Sequence, residues 1–119
     1  KPGGRILLLA ECPEGLGGEQ FVKWLRLGSR EAIIAELRRQ SEINGQTALS
    51  TLEKAPSTVM VTGMSYEEVQ LLGALKADSF MEGLFLTRHK FRTAGIEDPT
   101  YYLMPSAAYT VPVLSSCEQ

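Results

Sequence analysis

The sequence predicts an α/β domain built in three layers: a mostly parallel sheet with helices on both faces, in the Rossmann-like manner. Three observations predict it. Short strand-like runs alternate along the chain with stretches of helical period. The runs Ile6-Leu7-Leu8-Leu9 and Thr58-Val59-Met60-Val61-Thr62 are continuously apolar or β-branched, as in strands buried on both faces. Each run gives way to a glycine-bearing loop and then to a helix opening, the order of a βα unit.

The first strand takes residues 5–10 and runs out at Glu11. Residues 11–18 form a loop in which Gly15, Gly17 and Gly18 crowd together. A plain connection needs one glycine at most. Three imply a sharp turn, a close approach, or room for something to dock. Residues 19–27 read as a helix closed by Gly28, and Ser29 caps a second helix to about Gln40 with Ile33, Ile34 and Leu37 as its apolar stripe. A third helix over residues 46–53 sets Ala48, Leu49 and Leu52 on one face, and Pro56 prevents its continuation.

The second strand covers residues 58–62, with β-branched side chains at four of five positions. Gly63 and Met64 lead to Ser65-Tyr66-Glu67-Glu68, a capping box that opens a helix through Leu72. After Gly73, Leu75–Ala77 makes a short third strand. Ser79-Phe80-Met81-Glu82 is a second capping box, starting a longer helix to about Phe91. Residues 100–104 form a last strand that ends at Pro105. There are no repeats, low-complexity tracts or long linkers.

A length of 119 residues suits one domain, and 44% hydrophobic with 22% charged residues is ordinary for a globular chain. Residues 1–119 are therefore a single α/β domain. The opening Lys1-Pro2-Gly3-Gly4 reads as a turn already inside a protein, so the expectation is an excised domain of a larger protein. Net charge is −2, and the 12 basic residues form no stripe, which argues against nucleic acid and anionic membranes as partners. No apolar stretch approaches the ~20 residues of a membrane span, and no signal-peptide pattern precedes the first strand. Cys12 and Cys117 make no paired framework, which points to the reduced cytosol; the expected location is cytoplasmic.

In parallel sheets, ligands meet the loops at the carboxyl ends of the strands. Those loops are residues 11–18, 63–65 and 105–110. The residues expected to line a cleft there are Glu11, Gly15, Gly17, Gly18, Met64, Ser65, Pro105 and Ser106. The glycine loop precedes a helix but lacks the G-x-G-x-x-G spacing and a Lys-Ser/Thr ending, and Glu11, Glu14 and Glu19 repel phosphate. It reads as a flexible connection with Glu19 in the first helical turn. His89 sits between two cations on a helix with no ligand at metal spacing, so no metal site is expected. Cys12 has no base in view and reads as a structural thiol. Phe21 and Trp24, three apart, read as core. No catalytic residue is expected in this stretch of chain.

The string Gly3-Gly4-Arg5-Ile6-Leu7-Leu8-Leu9-Ala10-Glu11-Cys12-Pro13-Glu14-Gly15-Leu16-Gly17, followed by Phe21 and Trp24, resembles the C-terminal domain of the nickel-pincer-nucleotide-dependent lactate racemase family. Met104-Pro105-Ser106-Ala107 with Val111-Pro112 is similar to the strand-to-proline ending of that domain. The resemblance implies an isomerase, a racemase or epimerase of small 2-hydroxy acids working by reversible hydride transfer. It places the nickel-pincer nucleotide, its lysine tether and the catalytic histidines in an N-terminal domain of the same chain. The C-terminal domain is implied to close over that site as a lid. None of the family's catalytic residues has a counterpart here, and His89 matches none of them. A stand-alone small-ligand-binding module and a structural interaction module are the alternatives.

Overall fold

The computed structural model describes residues 3–111 and 113. It is an α/β fold with a three-stranded parallel sheet and five helices. The strands are β1 (Ile6–Leu9), β2 (Thr58–Val61) and β3 (Leu75–Ala77). The helices are α1 (Glu19–Leu25), α2 (Arg30–Arg39), α3 (Ile43–Lys54), α4 (Tyr66–Leu72) and α5 (Phe80–Thr93). Strand order is β1-β2-β3, with Leu8 opposite Met60 and Met60 opposite Lys76.

Strand side chains alternate between faces, so this register sorts the core. Leu8 and Met60 share one face, where they pack with Met64, Val69, Ala74 and Ala55 beneath α4. Leu7, Val61 and Ala77 share the other, against α5. The close approach of α5 depends on Gly83, because a Cβ there would lie 2.6 Å from Leu7 Cδ1 and 3.1 Å from Val61 Cγ2. One turn on, the buried Thr87 settles its hydroxyl on the Gly83 carbonyl at 2.8 Å. A second core of Trp24, Leu25, Ile33 and Ala48 joins α1, α2 and α3. Leu16 and Leu72 touch both cores and couple them.

Local capping explains most element starts. Ser29 Oγ accepts from Ala32 N, and Ser65 and Glu68 complete a reciprocal box at α4. At α5 the expected box forms by half: Ser79 Oγ caps Glu82 N, while the Glu82 carboxylate accepts from Asp78 N at 2.8 Å. Helix α3 begins at Ile43, three residues earlier than its apolar pattern predicts, behind Glu42, whose side chain makes no cap.

One expected strand is corrected. Residues 100–104 are not in the sheet; they are irregular and run exposed into a single 3₁₀ turn at Ala107–Tyr109. The physical reason is the missing ladder partner. β-branched and aromatic residues favour an extended chain, but a strand exists only when a neighbour takes its N–H and C=O groups. Among the described residues, none pairs with the other edge of β1.

Candidate functional site at the carboxyl edge of the sheet

Two of the three expected loops meet. Beyond β1 the ladder continues one step, with Ala10 N donating to Val61 O at 3.1 Å. The Glu11 carbonyl then accepts from Gly63 N at 3.1 Å and from Thr62 Oγ1 at 3.2 Å. These bonds pin the start of residues 11–18 to the end of β2. Cys12 takes a left-handed backbone, φ 49°, and two tight turns follow, Gly15 N to Cys12 O at 3.0 Å and Gly17 N to Glu14 O at 3.2 Å. The half-buried Cys12 side chain packs on the Met60–Met64 core, and Met64 itself is buried.

Glu68 closes the loop. Its carboxylate accepts from Ser65 N at 2.8 Å and Ser65 Oγ at 2.9 Å. Those bonds, with a further one from the Leu16 backbone, hold the carboxyl below the usual carboxylate range. Gly15, at φ +59°, lies where a Cβ would run into Glu68 Oε1. Glycine is thus favoured there by the left-handed turn, and any side chain would have to displace the Glu68 carboxylate. Gly17 and Gly18 differ: a Cβ on either meets nothing within 4 Å, so their backbone faces open space. Gly17 borders an open groove of about 380 Å³, lined also by Glu19, Val22, Lys23 and Arg26.

Glu11 and Ser65 are exposed on the same edge, Ser65 serving as the α4 cap. Pro105 and Ser106 are exposed on the irregular segment, and the hydrogen bonds of residues 105–110 are internal, Tyr109 N to Ser106 O and Thr110 N to Ala107 O. The structure gives them no bond to the other two loops.

A third group at this edge escaped the sequence reading. Tyr66 OH donates to Asp78 Oδ2 at 2.9 Å. Lys76 Nζ lies 3.3 Å from Asp78 Oδ1, donates to the Thr62 carbonyl at 3.3 Å, and sits 5.0 Å over the Tyr66 ring. The Lys76 side chain is only 12% exposed. The Tyr66 bond, and then Lys76, lower the Asp78 pKa; the same bond raises that of Tyr66. Each donor has its acceptor inside the group, so it works as a clasp between β3 and α4. The signal is Lys76 on β3 and Asp78 two residues on, just past its end, with Tyr66 opening the preceding helix.

Among the described residues, no group of three or more His, Cys, Asp and Glu side chains could hold a metal ion, and no helix is long and apolar enough to cross a membrane. His89 stacks on Phe85 along α5, ring centroids 6.4 Å apart. Trp24 is buried, its Nε1 donating to Glu42 at 2.7 Å. Comparison of the chain with the models of known families, with curated proteins and with solved structures finds no match.

Proposed function

We propose that this chain is the C-terminal, substrate-covering domain of a two-domain 2-hydroxy acid racemase or epimerase, similar to the nickel-pincer-nucleotide-dependent lactate racemases, acting in the cytoplasm. In this reading the fold is a Rossmann-like, three-layer domain and its partner is the N-terminal catalytic domain of the same chain. The observation that carries the reading is the bare backbone of Gly17 and Gly18 at the carboxyl edge, with nothing within 4 Å of either Cβ position. Two neighbouring residues without side chains, beside a rigid cap and an open groove, leave room for another domain to close against them.

The described residues do not fit the cofactor: one stacked histidine, one half-buried cysteine and dispersed carboxylates make no ligand set. The nickel-pincer nucleotide is assigned to the partner domain. What this domain contributes is closure. It covers the small hydroxy acid, keeps water from the reacting centre and fixes the substrate's position.

The test is Gly17→Val in the full two-domain protein. Turnover should fall while the cofactor stays bound, because it is held elsewhere. A branched side chain at φ +77° also costs folding about 1 kcal/mol or more, so thermal melts accompany the kinetics. Full activity in a normally stable variant removes Gly17 from the closing surface.

A further inference from the structure

We infer that two copies of this chain exchange their C-terminal arms, the arm of each lying along the open β1 edge of the other. The inference does not depend on the racemase reading. It rests on two unsatisfied features of one molecule that fit each other.

The first is the edge. Among the described residues β1 pairs only with β2, and Ile6-Leu7-Leu8-Leu9 carries neither the charge nor the proline that usually protects an edge strand. Ile6 is 52% exposed and Leu9 57%, one on each side of the sheet.

The second is the arm. From Pro99 to Cys117 the sequence holds no charged residue. Tyr101, Tyr102, Leu103, Tyr109, Val111 and Val113 are nonetheless exposed to solvent. Uncharged aromatic surface of this extent marks a contact with protein rather than with nucleic acid or an anionic bilayer. Within it, Thr100-Tyr101-Tyr102-Leu103-Met104 has strong strand preference and no proline to interrupt a ladder. The described residues of the arm leave the edge of their own chain open, with Tyr102 and Leu103 89% and 91% exposed.

A second copy meets both needs at once, and reciprocally, as a two-fold interface does. If each large apolar side chain of the arm gave up roughly 100 Å², less than a buried aromatic covers, two arms would bury on the order of 1,200 Å² before the edges are counted. That reaches the size of specific, stable interfaces. Laid parallel to β1, residues 100–104 run from Arg5 to Leu9. Pro105 and Ser106 then arrive beside residues 11–18 of the other copy. The third loop of the carboxyl edge is supplied in trans.

The experiment is sedimentation velocity on the full chain from micromolar to near-millimolar concentration, with hydrogen exchange on the same samples. The wild type should run at twice the monomer mass, with slow exchange at residues 101–104. Leu103→Asp on the arm and Leu9→Lys on the edge should each weaken dimerisation about 100-fold, with helical circular dichroism unchanged. Mixing the two variants should restore association, since one arm and one edge remain intact. Should Leu9→Lys fail to fold, Leu103→Asp decides alone, because that side chain touches little in the monomer. A monomeric wild type overturns the inference, whether residues 101–104 exchange freely or are protected on their own edge. A dimer indifferent to Leu103→Asp overturns it equally.

Discussion

Ile6–Leu9 and residues 100–104 are alike in length, both apolar, and both free of charge and proline, yet their fates are opposite. The first is bonded to β2 along its length, roofed by α5 and floored by the α4 core. The second lies in solvent. What separates them is the company each keeps in sequence. Ile6–Leu9 is followed by a loop whose backbone is tied to β2 and to Glu68, so its position is over-determined. Residues 100–104 are followed by a segment that, among the described residues, is bonded only to itself. Apolar character makes a segment willing to be a strand; neighbouring anchors make it one.

The strongest way to break the contrast is to remove the roof. Gly83→Val drives two methyl groups into Leu7 and Val61, where even a Cβ is too close. The expected loss is about 3 kcal/mol, seen as a much lower urea midpoint. Leu103→Ala, by comparison, should change the stability of the monomer by less than about 0.5 kcal/mol, as for any exposed site. Equal losses in the two variants would show that the arm is part of the folded core.

The anchor of the β1 loop gives a smaller effect. Gly15→Ala keeps the chain length but puts a Cβ at φ +59° against the Glu68 carboxylate. It should cost about 2 kcal/mol, combining backbone strain with a displaced cap. Ser65→Ala removes only the hydroxyl of the α4 cap and should cost about 1 kcal/mol. If both changes prove neutral, the loop is not held by the α4 terminus.

What could be read from the sequence follows the same division. Ser29, Ser65 and Ser79 mark helix starts correctly because a cap is a contact within three residues. Leu75–Ala77 was found because Gly73 and the following Ser79 bracket it. The front turn of α3 was missed because Glu42 makes no side-chain cap; it bonds to Trp24, a partner eighteen residues away. The Tyr66–Lys76–Asp78 clasp was missed for the same reason, since it needs the β2–β3 register to bring Thr62 to Lys76. At the site, the meeting of residues 11–18 with 63–65 was legible from strand-end logic. The separate duties of the glycines were not: Gly15 yields to a carboxylate on a distant helix, while Gly17 and Gly18 face open space.

The smallest effect is acid titration, and it divides the molecule along the same line. Glu68, Glu42 and Asp78 all have lowered pKa values, chiefly from hydrogen bonds donated by Ser65, by Trp24 and by Tyr66 respectively. A carboxyl whose pKa is depressed by folding stabilises the fold above its unfolded value and loses that contribution as pH falls through the folded one. The three anchors should therefore be at full strength at neutral pH and fade only as pH falls below their ordinary values, 4.5 for the two glutamates and 3.8 for Asp78. Tyr66 has the opposite sense: its raised pKa is a contribution present below pH 10 and lost as pH climbs through the folded value. The arm between Pro99 and Val111 carries no carboxylate, so acid has nothing there to titrate. Hydrogen exchange followed from pH 7 to pH 3 should show residues 11–18 and the start of α4 opening first, with a gradual decline in melting temperature. Each of these groups is solvent-accessible, so the decline should be shallow and further reduced by salt. A sharp acid transition, or opening that begins in β2, would mean that buried packing rather than these carboxylates sets the acid limit.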